Sequence, residues 1–392
     1  MVQAHLALPV HPADGPDLAA TEVLAASLLH RSPAASLLED AGGSLNTSRR
    51  GTWLGVSATG PAAQLSLLME ALAQTVLDAG YSAADIDAGR GRVIQQAHLA
   101  AAQPAVISQQ ALLDQLYRSC PVSLRANAHP AHVEAITTRG VAETHQRLVR
   151  PQQALMVIVG DLAPQLVIES LEESLATWKP GGCGQLVSPD TSPLAGTRSP
   201  RIVRVHQPGW VQSHVRLAAQ GLPREDPRFA ALSLASVAFG GYFSSRLVTV
   251  LREELGLAYR VESSFHDHID HLLIGIEVDT ATAGAGRAVE QVNKQLEQFA
   301  NDGPSPRETA AAMRYMTGVS ALSVASQSGV AATLMGNLTL GRPLDWLETL
   351  TAQLRDTTAH EVRAAAGAFY TPERFQGVLV GDVNDGFERS TQ

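Results

Sequence analysis

Arg252 and Tyr259 lie seven residues apart in the stretch from Phe239 to Phe265, FGGYFSSRLVTVLREELGLAYRVESSF. A guanidinium offers several fixed N–H donors and a phenol adds one more, so the two can hold carbonyl oxygens if they share one end of a unit. The alternative is plain: Arg252 pairs with a nearby carboxylate such as Glu254 while Tyr259 packs. His266-Asp267-His268-Ile269-Asp270-His271 is the densest ligand-like cluster. It falls between two alternating strands, however, where a polar hairpin loop is expected. Ser244 and Ser245 have no His–Asp pair placed to activate them, and helix N-capping explains one of them. His30 at a helix end, and His129 and His132 around Pro130, read as local caps or exposed histidines.

The elements that must position Arg252 and Tyr259 can be read directly. Leu247, Val250 and Leu251 recur at helical spacing, with Arg246, Arg252, Glu253 and Glu254 between them. Gly256 stops that helix, since glycine takes positive φ at little cost. An alternating strand, Ala258 to Phe265, follows. Gly240 and Gly241 ahead of the helix have two readings: a tight loop needing φ freedom, or a backbone that approaches a bound peptide or a partner subunit.

Gly-Gly-aromatic-Phe-Ser-Ser-Arg-Leu, then Leu-Arg-Glu-x-x-Gly-Leu-Ala-Tyr, closely resembles the C-terminal half of insulinase/pitrilysin-type zinc peptidases in their short, mitochondrial-processing-peptidase-like form. The resemblance covers nearly the whole chain and is weakest over residues 1–36. It implies that Arg252 and Tyr259 are the Arg/Tyr pair that reaches across a closed chamber toward substrate carbonyls. It also places Gly240, Gly241, Phe243 and Ser244 among the substrate-binding residues.

The family's catalytic chemistry is missing. Two histidines four apart on a helix hold Zn²⁺ in His-x-x-Glu-His, while the glutamate polarises the bound water. Measured back from Gly42-Gly43, that motif should fall at Val23–Ser27, which reads Val-Leu-Ala-Ala-Ser, with Val23, Ala26 and Ser27 at the degenerate positions. The downstream glutamate ligand should stand where the chain has Val93-Ile94-Gln95-Gln96. Glutamine at Gln95 and Gln96 keeps the shape of glutamate without its charge, and it is no general base. No metal and no cofactor is expected in this chain.

Composition sets the remaining bounds. At 392 residues, two domains of nearly 200 are expected. A net charge of −9 provides no basic stripe for nucleic acid but suits basic peptides. Cys120 and Cys183 stand far apart in no ligand spacing, which points to a reducing compartment. The N-terminus has no basic and apolar leader pattern, and no apolar run suggests a membrane span. A cytoplasmic protein of bacterial type is the expectation, with no membrane and no nucleic acid among its partners.

The chain also repeats itself. Val159-Gly160-Asp161 and Val380-Gly381-Asp382 each close an apolar strand, and Val2-Gln3-Ala4-His5 parallels Val211-Gln212-Ser213-His214. Each copy reads as a strand, a long helix (about 17–30 and 226–239), a second helix (32–41 and 244–255), two strands and further helices. Arg201–His206 is an extra opening strand in the second copy, so the first looks shortened. The Gly/Pro/Ser-rich stretch 179–200 is a linker. The expected fold is α+β: two homologous sandwich domains, 1–178 and 201–386, arisen by duplication. An exposed sheet edge, with Gly51–Thr59 as candidate strand, offers another way to bind an extended peptide.

Together these features predict a non-catalytic, substrate-binding subunit of a heterodimeric zinc endopeptidase. A homologous partner would carry the zinc, and the substrate would be a peptide, for instance a natural-product precursor losing its leader. A structural scaffold and a peptide-binding homodimer without protease activity are the alternatives.

Overall fold

The structure is a computed structural model that describes residues 1–10, 14–28, 33–117, 125, 127–180, 201–267 and 272–383. The first half begins β1 (Val2–Pro9), α1 (Gly15–Ser27), α2 (Pro33–Asp40), β2 (Ser44–Arg50) and β3 (Trp53–Gly60). It continues α3 (Leu65–Leu77), α4 (Ala83–Ala101), α5 (Pro104–Leu116), α6 (Pro130–Glu134), α7 (Thr138–Leu148), β4 (Leu155–Gly160) and α8 (Pro164–Ser174). The second half opens with β5 (Ile202–His206), β6 (Gln212–Gln220), α9 (Phe229–Ser236), α10 (Arg246–Val248), β7 (Ala258–Asp267) and β8 (Leu272–Ala281). Then follow α11 (Ala285–Asp302), α12 (Pro306–Ser323), α13 (Gln327–Thr339), α14 (Trp346–Asp356), α15 (Ala359–Phe369) and β9 (Gln376–Gly381).

The chain forms two compact units, each built on one sheet in the α+β manner expected. The first sheet has the order β2-β3-β1-β4 and is antiparallel throughout. The second has the order β7-β8-β6-β9-β5, with β5 parallel to β9. Arg201–His206 is therefore a real extra strand, added outside β9. Neither unit is continuous in sequence. The first consists of Met1–Ala102, Pro121–Pro189 and Leu322–Leu344; the second takes Gln103–Cys120, Asp190–Ala321 and Asp345–Gln392. Helix α13 thus packs on β4 and β1, and α5 packs on β9 and β6.

Alternation decides each core. In β6 the residues Val215 and Leu217 join Ile276 and Val278 of β8 against Phe239, Leu247, Leu251 and Phe299. In the first unit Val2, Ala4, Leu6 and Leu8 of β1 meet Leu18, Leu24, Leu68 and Leu72. The stretch Phe229–Glu254 is apolar and long enough, by length and composition, to cross a membrane. Phe229, Phe239, Leu247 and Leu251 of this stretch are instead buried in the second unit.

Two expectations need correction. Strand Gly51–Thr59, observed as β3, lies inside its sheet; the edges are β2 and β4. The parallel between the strand starts is also displaced by two residues. Val2 pairs with Gly160, whereas His214 pairs with Val380, one residue before Gly381. Gly160 and Gly381 close the same Val-Gly-Asp ending, so Val2 answers Ser213 and His5 answers Arg216. A two-residue slip keeps every side chain on its face, which is why the sequence pattern does not expose it.

Candidate functional site

The region around Arg252 departs from regular backbone three times. Helix α9 continues into a π-helical turn, Val237–Gly241, and α10 into a second, Thr249–Glu254. Strand β7 carries a bulge between Ala258 and Arg260, so Tyr259 is its extra residue. π-Bulges and β-bulges insert one residue and re-aim the side chains around it, and both are frequent at functional sites. Here they fall on Gly240 and Gly241, on Arg252, and on Tyr259. Gly256 has φ of 59° in the turn joining the last two, as the helix-stop reading requires.

Gly240 is buried under β7. A Cβ built on it would stand 2.8 Å from Ser263 Cβ and 2.9 Å from Ser263 N, so the glycine lets the π turn rest on the strand. Gly241, half-buried, backs onto Val237 with a Cβ distance of 3.1 Å to Cγ2. The expected loop before the second helix is thus partly helical, and Gly240 serves packing inside its own unit. Phe243 is 63% exposed and Ser244 is exposed beside it. Ser245 occupies the N-cap position of α10, but its hydroxyl makes no capping hydrogen bond and is buried without a partner.

Arg252 and Tyr259 sit on either side of the Gly256 turn, each about half exposed. The Arg252 guanidinium lies over the Phe243 ring, 5.0 Å from its centroid, and 3.5 Å from Glu253 Oε1. The neighbouring carboxylate is therefore Glu253 rather than Glu254. The Tyr259 hydroxyl donates to Gln212 Oε1 at 3.0 Å. Partial burial, and then the charge of Asp279, push the Tyr259 phenol up, so it keeps its proton and stays a donor.

Below Tyr259 the sheet carries a charged face that a period-2 reading treats only as strand. His214 and Arg216 of β6 stand opposite Asp279 and Glu277 of β8. His214 Nδ1 lies 2.7 Å from Asp279 Oδ1, Arg216 Nη1 2.7 Å from the same oxygen, and Arg260 Nη2 3.0 Å from Glu277 Oε2. Burial pushes the Asp279 carboxyl up, but hydrogen bonds from His214 and Arg216 outweigh it and hold the carboxyl below its ordinary value. Gln212 belongs to this missed set. The signal is present in the sequence as alternate polar residues at 212, 214 and 216 facing 277 and 279.

The degenerate zinc positions lie on α1 and α4, which pack together. Val23 and Ser27 are buried against α4, where a Cβ on Gly89 would fall 2.3 Å from Ser27 Oγ. Arg92 donates to the Ala26 carbonyl, and Gln95 and Gln96 are exposed. A methyl-bearing face, a hydroxyl without charge and two solvent-facing amides do not fit Zn²⁺, which takes imidazole, thiolate and carboxylate. Glu22, next to these positions, is bound by Arg49 at 3.0 Å and accepts from the Ala128 N–H at 2.9 Å. Among the described residues no group of three or more His, Cys, Asp or Glu is placed to hold a metal ion. His30, His268 and His271 lie outside the described residues. His129 caps α6, accepting from the Ala131 N–H at 3.3 Å, and His132 packs over Gly15.

Residues 135–316 match the model of the peptidase M16 inactive domain. An uncharacterized zinc protease of Streptomyces coelicolor is 23% identical over 287 residues, which cover 72% of this chain and 62% of the relative. The chain thus spans less than two thirds of that protein's length. Among solved structures, the peptidase M16 inactive domain from Pseudomonas fluorescens superposes with a TM-score of 0.84 at 20% identity, over 98% of this chain and 93% of that one. A protease from Helicobacter pylori gives 0.85 at 16% identity, over 97% and 93%. Over residues 135–316, and by fold along nearly its whole length, the chain is similar to the insulinase/pitrilysin-type peptidases, and its sequence carries no His-x-x-Glu-His motif.

Proposed function

We propose that this chain is the substrate-binding, non-catalytic subunit of a heterodimeric zinc endopeptidase. A homologous chain supplies the metal, the bound water and the general base. This chain supplies donors for the backbone of a peptide, removal of a leader from a peptide precursor being one such use, and the pair works in the cytoplasm. One observation carries the reading: the zinc positions are filled by side chains that cannot bind a metal, while Arg252 and Tyr259 remain exposed at a π turn and a bulge.

The division of work follows from the groups. A carbonyl oxygen gains negative charge as water attacks, and N–H and O–H donors fixed in advance stabilise that charge most. Phe243 beneath Arg252 and Gln212 beside Tyr259 restrict the two side chains before substrate arrives. Gln212 Oε1 accepts the phenol's hydrogen bond in the free chain, and a substrate carbonyl would replace it as acceptor.

Reconstitution with a zinc-bearing homologue tests this. Arg252→Ala and Tyr259→Phe should each lower the pair's peptidase kcat/KM by about tenfold to a hundredfold while leaving assembly intact. Unchanged activity in both variants would leave a structural scaffold as the reading. Chelator-sensitive cleavage by the isolated chain, with stoichiometric zinc, would defeat both.

A further inference from the structure

Arg252 and Tyr259 belong to different elements, a π turn and a strand, and one residue between them is tied to both. The Leu257 N–H donates to the Leu251 carbonyl at 2.8 Å, and the Leu257 carbonyl accepts from Thr280 Oγ1 at 2.5 Å. Leu251 immediately precedes Arg252. Thr280 stands in β8 opposite Ala258, the residue before Tyr259. The Leu257 backbone therefore bridges the end of the π turn and the β7–β8 pair.

Each of the two bonds departs from the ordinary pattern. A helix that ends on a C′ glycine commonly sends the next N–H back to the carbonyl at C3. With Leu255 at the C-cap and Gly256 at C′, that carbonyl would belong to Arg252. The π turn widens the closure by one residue, and Leu251 takes the bond instead. On the strand side, the register steps from Ala258–Thr280 to Arg260–Asp279, which leaves Tyr259 bulged over the step. Thr280 is fully buried there, in a row with Ile274, Ile276 and Val278 of β8 that is otherwise apolar. A buried hydroxyl is costly unless it is hydrogen-bonded. Its one proton has the Leu257 oxygen as the nearer acceptor, the Ala281 carbonyl lying at 3.3 Å.

We propose that Thr280 is a positioning residue for Arg252 and Tyr259: through the Leu257 bridge it fixes the two donors relative to one another, so that both act on the backbone of one bound peptide. That role rests on the peptide-binding reading of the pair. Thr280 itself, buried on the core face of β8, touches no substrate. Donors that move independently must each be ordered when a peptide arrives, at a cost in entropy that a pair fixed in advance does not bear.

Two substitutions in the full chain test it. Thr280→Val keeps the branched shape and removes the donor, whereas Thr280→Ser keeps the donor. By NMR of the chain alone, Thr280→Val should move the side-chain signals of both Tyr259 and Arg252, and Thr280→Ser should leave both near their original positions. In the reconstituted pair, with an internally quenched fluorogenic peptide cleaved by the unaltered pair, Thr280→Val should lower kcat about tenfold and change KM by less than about twofold. Thr280→Ser should recover most of that loss. On a Tyr259→Phe background the further loss from Thr280→Val should shrink to about twofold. The proposal is overturned if Thr280→Val leaves the Tyr259 and Arg252 signals in place. It also fails if the loss of kcat is undiminished on the Tyr259→Phe background, as a general weakening of the unit would give. If the signals move but neither Arg252→Ala nor Tyr259→Phe changes activity, the peptide-binding reading falls and the positioning role with it, while the bridge stands. Should Thr280→Val not fold, hydrogen exchange in the unaltered chain decides. The Leu257 amide should exchange slowly, and an unprotected amide overturns the bridge.

Discussion

Gly240 and Gly256 show two different reasons for glycine within one short stretch. At Gly256 the need is conformational, since φ is 59° with nothing within 4 Å of a built Cβ. At Gly240 the need is space, with the Ser263 backbone directly above. Gly256→Ala should therefore cost about 1 kcal/mol. Gly240→Ala should cost about 1–3 kcal/mol, because strand and π turn must separate. Urea unfolding of the two variants would check the order, and equal losses would contradict it.

At the scale of elements, the interrupted helix from α9 through α10 is fixed at both ends. Phe239 packs at 5.0 Å from the rings of both Phe299 and Tyr370, anchoring the first π turn. Arg246 fixes the start of α10: its Nε and Nη2 reach Glu308 at 2.8 and 2.7 Å, and Nη2 also donates to the Gly303 carbonyl at 3.0 Å. Burial pushes the Glu308 carboxyl up, but hydrogen bonds from Arg246 and Ser305 outweigh it, and its pKa lies below the ordinary 4.5. A carboxylate depressed in the fold stabilises above its unfolded pKa and loses that contribution as pH falls through the folded value. Arg246→Ala should thus destabilise by about 1–3 kcal/mol at pH 7. The gap from the unaltered protein should narrow below pH 4.5, as thermal melts across pH would show.

For the whole molecule, the exchanged helices matter most. The first unit needs α13, from residues 327–339, to cover β1 and β4. A fragment ending at residue 178 should therefore lack cooperative unfolding and bind a hydrophobic dye. Adding residues 322–344 in trans should reduce that dye binding. A fragment that melts cooperatively on its own would show that the helix is dispensable.

Much of the local structure was legible because it rests on short-range rules. The Gly256 stop, the strand after it, the repeat ending in Val-Gly-Asp and the absence of zinc ligands all follow from residue type and spacing. Less legible were the π turns, because hydrophobic spacing over one or two turns does not separate i+4 from i+5 hydrogen bonding. The interior position of β3 and the two-residue shift between copies also escaped. Both depend on which strands pair, and a shift by two leaves the inside–outside pattern unchanged.

Sequence by itself determined that Val23, Ala26, Ser27, Gln95 and Gln96 carry neither imidazole, thiolate nor carboxylate, and that Arg252 and Tyr259 stand seven residues apart. The ligating power of a side chain at a given position is set by its own chemistry, so no fold was needed for that. Only the tertiary structure decided that Gly240 packs on Ser263, that Gln212 meets Tyr259, and that Thr280 meets Leu257. Those facts arise from contacts between residues distant in the chain, which depend on strand order and not on local pattern.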